Sequence, residues 1–270
     1  MHADNNQPIG VFDSGVGGLT VANAIKNMLP YEQMVYFGDT FHLPYGDKSA
    51  ESVRFYANRI AEFLLSKQCK VILIACNTAS AVAFEEVKKN IGDKALVIDV
   101  INPVVDYVAT HKHIKKVGVI GTKGTINSGS YAQKINSVRP DIVLVSLATP
   151  LLVPMIEEGF VFDDISNAII RSYLSREELK NIDTLILGCT HYPIIKNQIK
   201  KFFDFKVSVL DSANIVANVL RDILTDKGML ADVRKPEHIF YVSDYTDYFQ
   251  SIANVFFEQS LKLNKHNIWT

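Results

Sequence analysis

The feature that most constrains the fold is a repeat. Val71-Ile-Leu-Ile-Ala-Cys76-Asn-Thr78 and Thr184-Leu-Ile-Leu-Gly-Cys189-Thr190-His191 are both apolar runs that end in a cysteine with a threonine close by. Upstream of each, a second pair recurs in the same order: Ile9-Gly-Val-Phe-Asp13-Ser-Gly15 and Val117-Gly-Val-Ile-Gly121-Thr-Lys-Gly124. The spacings are similar, 67 positions from Ile9 to Cys76 and 72 from Val117 to Cys189. One strand running into glycine is ordinary in an α/β protein. Two such pairs, in one order and at one spacing, mark a duplication into two similar α/β halves.

The rest of the chain agrees with that reading. Short β-branched runs at Ile9–Phe12, Met34–Phe37, Val71–Ala75, Leu96–Val100, Val117–Ile120, Ile142–Ser146, Thr184–Gly188, Lys206–Leu210 and Ile239–Val242 predict strands. Several are apolar throughout, as expected of parallel strands covered on both faces. Helical periods lie between them. Ser49 can cap a helix with Val53, Tyr56, Ile60, Phe63 and Leu64 on one face and Glu51 in its first turn. A second runs from about Ala79 to Asn90 and stops at Gly92. The expectation is an α/β fold with mainly parallel sheets.

Composition removes other classes. The 270 residues carry 28 Lys+Arg against 29 Asp+Glu, a net charge of −1, so the footprint of a nucleic-acid binder is missing. The densest basic run, Lys112 to Lys116, reads as a solvated turn, and His111 and His113 as solvent-facing. With 48% hydrophobic residues the chain can bury a core, yet no apolar stretch approaches the ~20 residues of a membrane span. The polar start, Met1 to Pro8, has no signal-peptide pattern. Three cysteines do not form a disulfide framework. A cytoplasmic protein is expected, with neither nucleic acid nor membrane as a partner.

Loops after the C-terminal ends of parallel strands are where α/β proteins keep ligands. Cys76 and Cys189 both fall there, each read as starting a helix, whose N-terminus favours an anion and lowers a thiol pKa. Cys69, between Gln68 and Lys70, reads instead as a buried small hydrophobe. Three chemistries fit a cysteine pair facing one cleft. A redox pair usually comes as Cys-x-x-Cys, absent here, and a metal site lacks ligands beyond His191. The third is two-base proton chemistry on a carbon acid, one thiol on each face, as inversion of a stereocentre demands. The polar neighbours fit it. The turn Asp13-Ser14-Gly15-Val16-Gly17-Gly18 offers backbone N–H groups to a carboxylate, and Asn77, Thr78 and Thr190 offer side-chain donors. Pro44-Tyr45-Gly46 reads as a β-turn.

Five motifs in register, Asp13-Ser-Gly-Val-Gly-Gly18, Gly38-Asp-Thr40, Pro44-Tyr-Gly46, Ala75-Cys-Asn-Thr-Ala-Ser80 and Gly188-Cys-Thr-His-Tyr-Pro193, together closely resemble the glutamate racemase family over nearly the whole chain. The resemblance implies interconversion of L- and D-glutamate without cofactor or metal, supplying D-glutamate for peptidoglycan. It implies Cys76 and Cys189 as the proton donor/acceptor pair, Asp13 assisting Cys76, His191 assisting Cys189, and Glu157 as a further acidic helper, with Glu158 the alternative. Substrate contacts would fall on Asp13, Ser14, Tyr45, Gly46, Asn77, Thr78, Thr190 and His191. It also implies two pseudo-symmetric α/β domains, 1–98 plus 211–270 and 99–210, with the site between them, Tyr241 to Leu261 forming a last strand and helix of the first. A homodimer is expected, and activation by a cell-wall precursor is not, since the segment before Ile9 is short. The rival readings are an aspartate racemase, a non-catalytic binder of a small anion, and a thiol-redox protein.

Overall fold

All nine expected runs form strands in the computed structural model, which describes residues 5–233 and 237–269. They are β1 (Ile9–Asp13), β2 (Met34–Gly38), β3 (Val71–Ile74), β4 (Leu96–Asp99), β5 (Lys116–Gly121), β6 (Val143–Ala148), β7 (Thr184–Gly188), β8 (Ser208–Asp211) and β9 (Ile239–Val242). A tenth, β10 (Leu263–Lys265), was not expected. Three residues with only Leu263 apolar are too short to show a period. The helices are α1 (Leu19–Met28), α2 (Ala50–Ser66), α3 (Asn77–Ile91), α4 (Asn102–Thr110), α5 (Lys123–Asn127), α6 (Ser130–Val138), α7 (Leu152–Glu157), α8 (Asp164–Leu174), α9 (Lys196–Phe202), α10 (Ser212–Asp226) and α11 (Asp247–Phe257).

The strands form two sheets in which every neighbouring pair is parallel, one ordered β10-β9-β2-β1-β3-β4 and the other β6-β5-β7-β8. Setting β1 to β4 against β5 to β8 gives the same order twice, so the sequence repeat is a structural one. The register agrees as well. Phe12 on β1 pairs with Ile74 on β3, and Ile120 on β5 pairs with Leu187 on β7. Each cysteine therefore sits two residues beyond an equivalent pairing. Strands β1, β2, β3 and β7 are buried along their whole length, which is why they read as unbroken apolar runs. β9 and β10 extend the first sheet past β2 and, among the described residues, have no counterpart in the second.

Local chemistry sets the helix ends. Ser49 caps α2 by accepting from the Ser52 N–H, and Gly92 ends α3 at a φ of +57°. α3 begins at Asn77, two residues earlier than its periodicity indicates, because Cys76 serves as its N-cap. The basic run is a turn only in part: Lys112, His113 and Lys115 are exposed, Ile114 is buried, and Lys116 opens β5. His111 is half-buried and stacks on Tyr107 with ring centres 3.8 Å apart, so it is not simply solvent-facing.

One apolar cluster runs from Ile9, Leu19 and Ile25 through Leu187 and Tyr192 to Val216 and Leu220, crossing from one half to the other. α10 lies against α1 and α4 at this junction. Its buried Val216, Leu220 and Leu224 each contribute ~1.5–3 kcal/mol. That far exceeds the ~0–1 kcal/mol of a surface ion pair, so packing holds the junction. No helix among the described residues is long and apolar enough to cross a membrane.

Candidate active site

The C-terminal ends of β1, β3, β5, β6 and β7 converge on one cavity of about 180 Å³, its walls drawn from both halves. Cys76 and Cys189 both line it, 5% and 7% exposed, and all three cysteines of the chain are free thiols. Cys69 lies elsewhere, buried behind Gly10, and burial pushes its thiol up to about 12.

The two cavity thiols are supported differently. Cys76 accepts the Ala79 N–H at 3.5 Å from the first turn of α3 and donates to the Ser14 hydroxyl at 3.7 Å. Burial, and after it the charge of Asp13, push its thiol up to about 12. Asp13 is fully buried and does not itself line the cavity. Its Oδ2 accepts from the N–H groups of Gly15 and Gly18 at 3.1 and 3.0 Å, while its buried Oδ1 has no hydrogen-bond partner among the described residues. The glycine-rich turn thus spends two of its N–H groups on Asp13, and Ser14 carries the contact with the cavity.

Cys189 does not start a helix. Residues 189–191 form a turn, and a short 3-10 segment begins at Tyr192–Ile195 before α9. Pro193 lies in the first turn of that segment, where a missing N–H is tolerated, so helical structure starts there. Cys189 meets a side chain in place of a helix N-terminus: its sulfur is 3.7 Å from His191 Nδ1, and His191 Nε2 is 2.9 Å from Glu157 Oε1. Burial opposes a charge on His191, but the bonds to Cys189 and Glu157 prevail and raise it to about 10. The imidazole keeps its proton at neutral pH and donates on both nitrogens. Of the two adjacent acids, Glu157 at the end of α7 makes this contact, and Glu158 is exposed. The Phe256 ring on α11 backs the imidazole edge-on at 5.3 Å.

The polar wall consists mostly of donors. Tyr131 donates to Asn77 Oδ1 at 2.9 Å, which fixes the amide and leaves its buried Nδ2 without a partner among the described residues. Thr78 bonds across the cleft to Thr122 at 2.9 Å and to Thr125 at 3.2 Å. The Thr190 carbonyl accepts from Thr20 at 3.1 Å, and Thr190 lines the cavity. Pro44-Tyr45-Gly46 forms the expected turn, with Asp47 N–H donating to the Pro44 carbonyl at 3.3 Å, and all three residues line the site. The cavity thus gathers Ser14, Tyr45, Gly46, Cys76, Asn77, Thr78, Glu157, Cys189, Thr190 and His191 from the sequence reading, and leaves Asp13 behind the wall.

Sequence reasoning missed Thr122, Lys123 and Thr149. A signal existed for the first: Thr122 follows β5 as Ser14 follows β1, so the repeat alone places it here. Among the described residues, no group of three His, Cys, Asp or Glu side chains is arranged to hold a metal ion.

Residues 20–220 match the family model described as Asp/Glu/Hydantoin racemase. Glutamate racemase of Geobacter metallireducens is 41% identical over 249 residues, 92% of each chain. The crystal structure of glutamate racemase from Francisella tularensis subsp. tularensis SCHU S4, in complex with D-glutamate, superposes with a TM-score of 0.92 at 40% identity, covering 98% of this chain and 99% of that one. A glutamate racemase isoform from Bacillus anthracis also gives 0.92, at 35% identity over 97% and 98%. With the doubled sheet, two thiols in one cavity and similarity over nearly its whole length, the chain belongs to the glutamate racemases, isomerases of the Asp/Glu/hydantoin racemase family.

Proposed function

We propose that the protein interconverts L- and D-glutamate by a two-base mechanism that needs no cofactor, and so supplies D-glutamate for peptidoglycan. The observation that carries this reading is the pair of thiols at equivalent register positions of two halves, lining one cavity. The α-proton of an amino acid carboxylate is very weakly acidic, because its removal adds charge beside an existing carboxylate. A site without an electron sink offsets that by preorganised donors and exclusion of water. Asn77 Nδ2, the hydroxyls of Ser14 and Thr190, and the cation of Lys123 suit a dicarboxylate.

The resemblance assigns the roles, and the two environments support them. With L-glutamate bound, Cys189 takes the α-proton from one face, its negative charge balanced by the His191–Glu157 arm. Cys76, held protonated by burial and by Asp13, gives its proton to the opposite face. With D-glutamate the roles reverse. Domains 1–98 plus 211–270 and 99–210 part to admit substrate, hinged near Asp99 and Asp211. The reading carries with it a cytoplasmic homodimer.

Incubation with D-glutamate in deuterated water tests it. The expected result is L-glutamate carrying solvent deuterium at the α-carbon, in protein treated with chelator and free of pyridoxal absorbance. Faster exchange with aspartate than with glutamate, or none with either, would overturn the assignment.

A further inference from the structure

Asp39, in the motif Gly38-Asp39-Thr40, is fully buried and does not line the cavity, yet it collects donors from four places in the chain. Its Oδ2 accepts from the Tyr45 hydroxyl at 2.7 Å and lies 2.8 Å from His42 Nδ1. Its Oδ1 accepts from Ser243 at 2.7 Å, just beyond β9, and from the indole N–H of Trp269 at 3.1 Å. Tyr45 is a wall of the cavity, and its one hydroxyl is spent on Asp39. The placement of the ring, and of the Tyr45–Gly46 backbone with it, therefore depends on where that carboxyl group is held.

Trp269 braces the same group from outside. Its ring packs edge-on against His42 at 4.6 Å and Tyr56 at 5.4 Å, while His42 stacks on Tyr56 at 4.0 Å. An indole N–H that leaves water needs an acceptor, and this one takes a carboxyl oxygen, where such bonds are strongest. Loss of that donor leaves Oδ1 with Ser243 alone and lets the carboxyl group turn, and Tyr45 turns with it.

We propose that Trp269 is a positioning residue: through Asp39 it fixes Tyr45 against the substrate and sets the affinity of a site whose cavity it does not line. The proposal rests on the glutamate reading above. It separates two roles for Trp269, as apolar packing and as hydrogen-bond donor.

The test is Trp269→Phe, which keeps the ring and removes the N–H, measured beside Tyr45→Phe and the double variant. The expected result is a rise in KM of roughly fivefold for both enantiomers, the size of one lost hydrogen bond, with kcat within about twofold. The double variant should be no worse than the weaker-binding single variant, because both break one chain of contacts. Trp269 is the only tryptophan, so wild-type emission should also shift on saturation with glutamate, and that shift should shrink in Tyr45→Phe. An unchanged KM in folded Trp269→Phe would overturn the proposal, as would additive effects in the double variant. A lowered Tm with kcat and KM both unaltered would reduce Trp269 to packing and overturn it too. A wild-type protein inert toward glutamate would instead fail the substrate reading and take this proposal with it.

Discussion

Cys76 and Cys189 occupy matching positions but not matching surroundings, and substitution should expose each separately. Cys→Ser at either site leaves a hydroxyl too weakly acidic to serve as base, so racemisation should be lost by several decades, each ~1.36 kcal/mol in the transition state. With a glutamate analogue that expels a leaving group after α-proton removal, Cys76→Ser should still process the L form and Cys189→Ser the D form. Equal loss of both forms in both folded variants would refute separate faces. Cys69→Ser, away from the cavity, should leave turnover nearly intact. The His191 proton gives a pH test. Its folded-state value, about 10, lies above the ordinary 6.5, so its contribution to stability is complete below about 6.5 and is lost as pH rises through about 10. The rate should fall over the same alkaline limb, and Glu157→Gln should move that limb to lower pH by removing one of its supports. A limb that stays put in Glu157→Gln would detach the carboxylate from the imidazole. At this scale the sequence disclosed residue types better than their settings. The thiols were legible from the repeat, but Pro193, which delays helical structure beyond Cys189, acts through backbone geometry that a motif does not display. Nor does a motif show that Asp13 faces the N–H groups of its own turn.

Two elements carry predictions of their own. The turn between β1 and α1 needs Gly17 for space: a Cβ there would lie 2.4 Å from the His191 ring and 2.7 Å from Thr190 Oγ1. Gly17→Ala should therefore push His191 off Cys189 and cut turnover by about 10²-fold, the effect of a misplacement of roughly 1 Å. Circular dichroism should show an unchanged fold, and a fully active Gly17→Ala would mean that the turn yields freely. At the end of β4, Asp99 accepts the N–H groups of Ile101 and Asn102 at 3.2 Å each and so starts α4. Burial raises its carboxyl to about 6, although those bonds lower it. The folded state thus binds a proton more tightly than the unfolded one, and stability should fall as pH rises from about 4 through 6, by up to ~3 kcal/mol. Asp99→Asn should flatten that slope in denaturant titrations at pH 4.5 and 7, and a slope equal to wild type would assign it to other groups. Strands buried on both faces were legible as apolar runs. β10 was not, because its pairing with β9 depends on a neighbour and not on its own three residues.

Across the whole molecule, the two halves meet through apolar packing at the junction and, around the cavity, through close approaches at glycine. Besides Gly17, a Cβ at Gly46 would strike Thr122 at 2.7 Å and one at Gly124 would strike Thr78 at 2.9 Å. Both thiols are under a tenth exposed, and the proposed parting of the halves would open this seam to substrate. Small-angle scattering should accordingly show a contraction on adding saturating glutamate, and coincident profiles would count against such motion. The duplication made the doubled architecture legible, whereas the seam was not, since close approach depends on how two separately folded sheets face each other. The unequal support of the thiols, a helix N-terminus with Asp13 on one side and the His191–Glu157 arm on the other, has a consequence fixed by thermodynamics. Mirror-image amino acids in an achiral solvent have equal free energies, so their equilibrium constant is unity. The Haldane relation then requires kcat/KM to be the same in both directions at every pH and in every variant. The asymmetry cannot bias the protein toward either enantiomer. His191→Asn, altering only the Cys189 side, must lower kcat/KM for L- and D-glutamate by one common factor. Any difference between directions can appear only as compensating changes in kcat and KM, or in an irreversible elimination that never reaches the opposite enantiomer.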